Sequence, residues 1–458
     1  MKAYLLRLKT MGLKNLEHEV CLNFADETIP ERIEPKNQNV KAIYGLNGAG
    51  KTALIASVGL AQKLLIEKGY LSHPQKSYFD QLFNKKCKKF VFTVDFAIYD
   101  EAKNNEVINV FSYSLEVDPS CNLSSNGYGI KREKLVLLKG RTLNEQSTIV
   151  FTVENGELSF PKSSDYFDDT LKEKTLNLLA DNTLSSVFLS LIRSLSFTFK
   201  DPDHEGTGPL FEGCSSLCIF GFSLSVYVEN EDQHQNFGVN TLDVISKVKA
   251  MKAENVQSFF INLLSQTALS AGEQVVEKSK LTSFEEAIGQ LTAFVKMFKP
   301  ELKRIDLDKK IDGSFYHIRK IFVYPDYTVD SEFESAGIKK MMALFSYFKQ
   351  VNDGQIVFID EMDASLHDVY LCKLLDYFSE FAKGQLCFTT HNIGPMSHLA
   401  DKKHSLDFLG NENYLASWVK NAHYQPYIQY PDGMIKGSPF NFESFDFLPI
   451  FNEGKPCN

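Results

Sequence analysis

The octapeptide Gly45–Thr52, with the sequence GLNGAGKT, constrains this chain more than any other feature. It satisfies the pattern G-x-x-x-x-G-K-[ST], and it follows the apolar run VKAIY at Val40–Tyr44. From Lys51 to about Lys68 the apolar residues then recur at helical spacing. Glycines let such a loop curl so that its backbone N–H groups and the positive end of the helix point at phosphate oxygens. The sequence therefore predicts an α/β fold with a phosphate loop between a buried strand and a helix.

This loop is expected to bind ATP together with Mg²⁺. The Lys51 ammonium would neutralise the β- and γ-phosphates, and the Thr52 hydroxyl would be one ligand of Mg²⁺, a hard cation that retains several waters. The other contacts would come from the rest of the loop, at Gly45, Asn47, Gly48, Ala49 and Gly50. The alternative is an ordinary glycine-rich turn between a strand and a helix.

A pair of acidic residues follows a second apolar run. Ile356–Ile359 reads IVFI and leads directly into Asp360 and Glu361. Such a run is typical of a strand buried on both faces, where charge appears only at the end of the strand. Asp360 would hold Mg²⁺ through water, and Glu361 would orient and deprotonate the attacking water. Taken alone, the pair fits a strand that surfaces at an acidic turn, but the phosphate loop favours the catalytic interpretation.

Two further segments suit contacts to a γ-phosphate. His391 ends the run LCFTTH, which is expected to be the strand beside that of Asp360, so the imidazole could reach the γ-phosphate or the attacking water. Ser335 and Gly337 open a helix, where a hydroxyl, bare backbone amides and the helix dipole suit an anion. The alternative roles are a polar surface histidine and a plain helix N-cap.

Hydrophobic periodicity indicates two kinds of sheet. From Phe90 the period is two residues through several successive runs, ending at a tight turn at Asn155-Gly156, which predicts an antiparallel lobe. From about Ser335 onward a helix, the strand QIVFID, a helix at Val369–Phe381 and the strand QLCFTTH alternate. That alternation predicts a parallel core sheet.

Between these parts lies a long stretch with helical periodicity. It begins after Asp165, is broken by a loop that carries Gly206, Gly208 and Pro209, and resumes from Asn240 to about Phe298. The predicted regions are an N-terminal half of an ATPase head with phosphate loop and β lobe (1–165), a mainly helical insertion (166–300), a C-terminal half of the head (301–400) and a tail (401–458).

Composition limits the function classes. With 43% hydrophobic and 23% charged residues the 458-residue chain has a globular composition, and it contains no apolar run of about 18 residues, so a cytoplasmic protein is expected. A net charge of −9 argues against a generally basic nucleic-acid-binding surface. The close pair Cys214 and Cys218 lacks a second pair at zinc-site spacing, which favours reduced thiols. The sequence contains no extended heptad array, so a long coiled-coil arm is not expected.

Taken together, the phosphate loop, split insertion, Ser-x-Gly helix, Asp-Glu strand and strand-end histidine resemble the ABC-type ATPase heads of the SMC, RecF and OLD group. The phrases FESAGIKKMMALFSYF, GQIVFIDEMDASLH, CFTTHN and IKREKL are similar to bacterial phage-defence ATPases of the abortive-infection, Septu and PARIS type. The resemblance covers the first 140 or so residues and about 320–400.

The resemblance implies a homodimer or higher homo-oligomer closed around ATP. In that group the phosphate loop of one subunit faces the Ser-x-Gly helix of another, so Ser335 and Gly337 would act in trans, and Asp363 would lie in a loop that crosses the dimer seam. The chain departs from the pattern at Ala336 and Ile338, where many members have Gly and Gln. The glutamine that senses Mg²⁺ has only Gln81 as a weak candidate.

The resemblance also implies an ATP-gated sensor or scaffold in bacterial antiphage defence. The tail contains Glu443 and Asp446 but no matched second carboxylate in a strand context, so any nuclease effector is expected to be a separate chain. The main alternative is an SMC/RecF-like ATPase that binds DNA in recombination or repair, and a transporter ATPase is a third interpretation. No membrane partner is expected.

Overall fold

The structure of the chain is a computed structural model. It describes residues 1–36, 38–67, 69–72, 74–119, 127–145, 147–159, 182–186, 208–228, 271–364, 366–420 and 425–438. These residues form three sheets and the helices packed against them. The predicted α/β fold with an antiparallel lobe is confirmed.

The core sheet has the order β17-β16-β3-β15-β14-β9. Its strands are β3 (Val40–Gly45), β9 (Leu224–Tyr227), β14 (Ile356–Ile359), β15 (Gln385–Thr389), β16 (Leu406–Leu409) and β17 (Leu415–Ser417). Every neighbouring pair is parallel except β16 and β17. The carboxyl ends of β3, β14 and β15 therefore meet at one edge, which is where an open α/β sheet binds ligands.

Eight helices have described bounds. They are α1 (Lys51–Ile66), α2 (Lys76–Leu82), α3 (Gly208–Ser223), α4 (Leu281–Phe298), α5 (Ala336–Asp353), α6 (Asp368–Phe381), α7 (Gly394–Leu399) and α8 (Pro426–Gln429). Helix α1 is buried along most of its length because it contacts the core sheet on one side and α3 on another. This burial explains why its apolar residues surround the helix instead of forming one narrow stripe.

The core sheet is covered on both faces, as the alternation along β14 shows. Ile356 and Phe358 pack into a core shared with α1, α3 and the antiparallel lobe. Val357 and Ile359 pack into a second core shared with α4, α5 and α6. Double coverage accounts for the continuous apolar run of this strand.

The antiparallel lobe has the order β2-β1-β4-β5-β6-β7-β8. Its strands are β1 (Lys2–Met11), β2 (Val20–Asn23), β4 (Phe90–Asp100), β5 (Glu106–Asp118), β6 (Gly129–Leu138), β7 (Ser147–Glu154) and β8 (Glu157–Ser159). Asn155 and Gly156 join β7 to β8 with φ values of +49° and +86°, so the predicted hairpin turn is confirmed.

A smaller antiparallel sheet precedes the Ser-x-Gly helix. It comprises β10 (Gln274–Glu277), β11 (Arg304–Asp312), β12 (Phe315–Val323) and β13 (Thr328–Asp330), and β12 pairs with each of the other three. A 3₁₀ turn at Ser331–Phe333 then leads into α5. This sheet therefore sets the direction from which the chain enters the helix that Ser335 caps.

Several secondary-structure predictions were wrong. The helices expected from Asn240 to about Phe298 do not fill the described part of that range, since β10 precedes α4. Gly208, expected in a loop, begins α3, and the range expected to be helical also contains β9. Four residues are too few for periodicity to reveal a strand beside a long helical pattern.

The C-terminal region, expected to be a tail, contributes two strands to the core sheet. Strands β16 and β17 both lie within 401–458, and β16 pairs with the phosphate-loop strand β3. The helices expected within 166–181, 187–195 and 240–270, and the loop position Gly206, lie outside the described residues. No helix in the described ranges is both long enough and apolar enough to span a bilayer.

Candidate nucleotide-binding site

The phosphate loop leaves β3 and enters α1 through residues with positive φ. Gly48 and Gly50 have φ values of +79° and +112°, which is the region that glycine tolerates best. A Cβ at Gly50 would lie 2.8 Å from Leu16 Cδ2, whereas one at Gly48 would meet no atom within 4 Å. The loop therefore packs against the protein at Gly50 and is open at Gly48.

The N-terminus of α1 is available to an anion. Its cap residue is Gly50, which has no side chain to accept from the first N–H groups, and the first turn contains no acidic residue. The first four N–H groups of a helix have no partner within the helix, and the helix dipole adds positive potential there. Thr52 lies half-buried in this first turn. This end of α1 can therefore receive a phosphate.

Lys51 is held close to the loop that it is expected to serve. Its Nζ donates hydrogen bonds to the carbonyl oxygens of Gly45 (2.8 Å) and Leu46 (3.0 Å). Burial lowers the pKa of Lys51, while the charges of Asp360, Glu361 and Asp363 act in the opposite direction. The loop lysine and the acidic residues that follow β14 are thus close enough to interact electrostatically, as the motif order predicts.

The acidic pair is fixed by a hydroxyl from the neighbouring strand. Thr389, at the end of β15, is fully buried. Its Oγ1 donates to Asp360 Oδ1 (2.6 Å) and accepts from the Glu361 N–H (2.8 Å). The Asp360 N–H donates to the Tyr227 carbonyl of β9 (2.9 Å). Both neighbours of β14 therefore position these carboxylates.

Glu361 has a strained backbone, with a φ of +48°. A residue with a side chain seldom adopts this left-handed region, and such conformations persist only where surrounding contacts enforce them. Here Thr389 binds its N–H, and the buried Lys340 on α5 donates from Nζ to its carbonyl oxygen (3.2 Å). The direction in which Glu361 leaves the sheet is therefore specified from two sides.

His391 completes the group at the edge of the sheet. Partial burial and then the charge of Lys51 lower the pKa of its imidazole, against the opposing charges of Asp363, Glu361 and Asp360. The backbone N–H of His391 donates to Asp363 Oδ2 (3.3 Å). A lowered pKa favours the neutral imidazole, which can both donate and accept a hydrogen bond beside the acidic residues.

Ser335 and Gly337 are at the N-terminus of α5. Ser335 is exposed, and its Oγ caps α5 by accepting from the Ile338 N–H (3.3 Å). A Cβ at Gly337 would face open space. Within the part of the chain that the structure describes, no hydrogen bond or ion pair joins either residue to Lys51 or Asp360, and their expected action in trans remains a prediction.

Of the remaining sequence candidates, Gln81 lies within the described part of the chain. Gln81 is exposed on α2, where it lines a groove of about 510 Å³ together with Tyr70, Gln75 and Tyr78. Glu443 and Asp446 lie outside the described residues.

Sequence reasoning missed Thr389, Lys340 and Asn413. Thr389 is part of the run that ends in His391, but a threonine at the end of a strand is common and does not by itself indicate a functional role. Asn413, which contacts the phosphate loop, comes from the region expected to be a tail.

The residues present fit ATP with Mg²⁺. The helix end offers free N–H groups, Lys51 a cation, Thr52 a hydroxyl ligand, and Asp360 an acid that could act through water. In the described ranges no group of three or more His, Cys, Asp or Glu residues could hold a metal by itself. A Mg²⁺ bound to phosphates needs only one or two protein ligands, because phosphates and waters complete its shell.

The chain matches no protein-family model and no curated protein. Among solved structures it is similar to an SMC head bound to the C-winged helix domain of ScpA, with 13% identity, a TM-score of 0.44, and coverage of 90% of this chain and 97% of that one. It is also similar to the recombination mediator protein RecF with ATP in the RecFOR pathway, with 11% identity, a TM-score of 0.35, and coverage of 91% and 99%.

Proposed function

We propose that this chain is an ATPase that binds ATP with Mg²⁺ at the edge of the core sheet and hydrolyses it to ADP and phosphate. The observation that carries this proposal is the grouping of Lys51, Asp360, Glu361 and His391 around the loop that follows β3. Three segments far apart in sequence supply these side chains. A glycine-rich turn without a ligand would not require that convergence.

Each residue has a chemical role that its surroundings support. Lys51 and the N–H groups at the start of α1 would attract the phosphates, and Thr52 and Asp360 would hold Mg²⁺, which would offset phosphate charge. Glu361 orients the attacking water and accepts its proton. His391 stays neutral and hydrogen-bonds to the water or the γ-phosphate.

The proposed site is completed by a second copy of the chain. Ser335, Ala336 and Gly337 present an exposed helix N-terminus, which suits a γ-phosphate. They make no described contact with their own subunit's phosphate loop, so another subunit's ATP is the proposed ligand. ATP would then stabilise a closed homodimer, because the γ-phosphate contacts to both subunits form only in that state.

The Glu361→Gln variant tests both the proposed hydrolysis of ATP and the proposed ATP-dependent dimerisation. Removing the proton acceptor should lower kcat at least 100-fold, since general-base catalysis typically contributes that much or more. Binding of ATP should persist, so the variant should accumulate as an ATP-bound dimer in size-exclusion chromatography with light scattering. Glu380→Gln, at an exposed position on α6, is the matched control and should behave like the wild type. A Glu361→Gln variant with wild-type turnover and no ATP-dependent dimer would refute the proposal.

Within this activity we propose a regulatory role in bacterial antiphage defence, as a cytoplasmic sensor or scaffold for a separate effector such as a nuclease. The support is the resemblance of the segments around Ser335, Asp360 and His391 to defence ATPases. Affinity purification with the product of the adjacent gene, with and without ATP, is the test. Salt-dependent binding of duplex DNA by the purified chain, without such a partner, would favour the DNA-repair alternative instead.

A further inference from the structure

Asn413 lies at the phosphate loop although it comes from the C-terminal region. It sits in the short connection between β16 and β17, at the same edge of the core sheet as Gly45–Thr52. Only 6% of the residue is exposed. Glu412 and Asn413 have φ values of +57° and +59°, so the connection adopts a costly conformation that turns this side chain inward.

The side-chain amide of Asn413 uses its full hydrogen-bonding capacity. Oδ1 accepts from the N–H groups of Glu17 (2.8 Å) and His18 (3.0 Å). Nδ2 donates to the carbonyl oxygens of Asn15 (3.2 Å) and Ala49 (3.3 Å). A primary amide has two donors and two acceptor lone pairs, so all four are satisfied. The orientation of the amide is fixed as well, because backbone N–H groups can only donate and carbonyl oxygens can only accept.

The hydrogen bond from Asn413 to the Ala49 carbonyl orients the next peptide unit of the phosphate loop. In a trans peptide unit the C=O and the N–H point in opposite directions. Holding the Ala49 carbonyl towards Asn413 therefore turns the Gly50 N–H away from Asn413. Asn15 holds the preceding carbonyl of Gly48 in the same way through its Nδ2. Two asparagines thus fix the carbonyl oxygens of consecutive loop residues.

We infer that Asn413 is a positioning residue for the nucleotide site: it orients the Ala49–Gly50 peptide so that the Gly50 N–H is presented to a phosphate. The inference rests on the proposed function. The ligand class is a nucleoside di- or triphosphate, since the loop is expected to contact the β-phosphate in both. The C-terminal region is by this inference a component of the nucleotide site.

The Asn413→Asp variant removes the two hydrogen bonds that Nδ2 donates to the carbonyl oxygens of Asn15 and Ala49. Asp has nearly the same shape and keeps oxygens for Glu17 and His18, but it directs an acceptor at the carbonyl oxygens of Asn15 and Ala49. We expect the dissociation constants for both Mg-ATP and Mg-ADP to rise at least tenfold, with KM rising in parallel and kcat at saturating ATP falling less than threefold. Asn413→Ala, which introduces no charge, is the second variant and should weaken both nucleotides in the same direction.

The control is Ser417→Ala, on the same β16–β17 hairpin. It removes a 2.6 Å hydrogen bond to Asp407 Oδ1 without touching the loop, so it should lower thermal stability and leave nucleotide affinity within twofold of wild type. Binding is measured by isothermal titration calorimetry well below the melting temperature. Wild-type affinity in both Asn413 variants, or an equal loss of affinity in Ser417→Ala, would overturn the inference. A wild-type chain that binds no Mg-nucleotide would instead refute the proposed function.

Discussion

Thr389 shows how much a single residue can determine at this edge of the sheet. Its hydroxyl is the one group that touches both the Asp360 carboxylate and the Glu361 backbone in the described hydrogen-bond network. Because Glu361 has a left-handed backbone, losing the bond to its N–H removes one of the hydrogen bonds that enforce this conformation, the others being those from Lys340 and Ala364 to its carbonyl oxygen. Thr389 therefore positions both carboxylates.

We predict that Thr389→Val lowers kcat about tenfold while changing KM little. Valine has the shape of threonine without the hydroxyl, so the Glu361 N–H is left without its partner, at a cost of about 1–3 kcal/mol in unfolding free energy. Thr389→Ser keeps the hydroxyl and should retain most of the turnover. Steady-state ATPase assays and urea denaturation measure the two effects. Wild-type turnover in Thr389→Val would show that the hydroxyl does not position the carboxylates.

Functional residues can be predicted from the sequence where a short continuous segment identifies them. Lys51 and Thr52 belong to one short motif, and Asp360 and Glu361 end one apolar run. Thr389, Lys340 and Asn413 could not be found in this way, because their partners at the site lie 28, 21 and 364 positions away in the chain. A hydrogen bond between distant segments leaves no periodic pattern along either of them.

At the scale of elements, the N-terminus of α5 combines two roles, and a Ser335→Ala change would remove both at once. Ser335 caps the helix, and it is also the proposed contact to the γ-phosphate of another subunit. Aspartate and asparagine are both good N-cap residues, so they can preserve the cap while differing in charge.

We predict that Ser335→Asp leaves the monomer as stable as the wild type but abolishes ATP-dependent dimerisation. The carboxylate is favourable at a helix N-terminus, yet it would repel a γ-phosphate. Ser335→Asn is the neutral control and should retain partial dimerisation. Thermal melts without nucleotide and light scattering with ATP separate the two properties. A Ser335→Asp variant that still dimerises with ATP would leave Ser335 with only its capping role.

Elements with strong patterns were predictable, and short ones were not. Strands β4 to β7 alternate over 8 to 13 residues, and α5 is 18 residues long, so their periods are clear. Strand β9 is only four residues long, and its identity as a strand depends on pairing with β14, more than 120 positions later. Tertiary pairing, not local propensity, makes such a strand.

At the scale of the whole molecule, one short segment ties the antiparallel lobe to the phosphate-loop helix. Residues 182–186 lie against the C-terminal end of α1, where Thr183 Oγ1 donates to the Leu64 carbonyl (2.6 Å) and Ser185 Oγ to the Leu65 carbonyl (3.1 Å). The Leu184 N–H donates to both carboxyl oxygens of Glu133 on β6 (2.9 and 2.7 Å). Glu133 thus joins the lobe to a segment that caps α1.

This junction places a carboxyl group in the interior. Glu133 is fully buried, and its hydrogen-bond partners are the Leu184 N–H and the Tyr113 hydroxyl (2.9 Å), both of which donate to it. Burial raises the pKa of Glu133 to about 8, against the opposing effect of these hydrogen bonds. At pH 7 the folded protein therefore carries this group protonated.

The raised pKa makes global stability depend on pH in a defined direction. Below about pH 4.3, the ordinary pKa of a glutamate, the group is protonated in both the folded and unfolded states. Between that pH and about 8 the unfolded chain releases the proton while the folded protein keeps it, so unfolding becomes more favourable as pH rises, by up to about 1.4 kcal/mol per pH unit. Above about pH 8 the contribution no longer changes.

We predict that Glu133→Gln removes this dependence, because the amide has a similar shape and never ionises. The free energy of unfolding of the variant, relative to wild type, should rise steadily from pH 5.5 to 7.5 and level off above pH 8. Urea denaturation of both proteins at four pH values between 5.5 and 8.5 measures this difference, in which other titrating groups cancel. The contrary result is a constant difference across the range, which would mean that Glu133 is ionised in the folded protein and that Leu184 and Tyr113 hold it as a carboxylate.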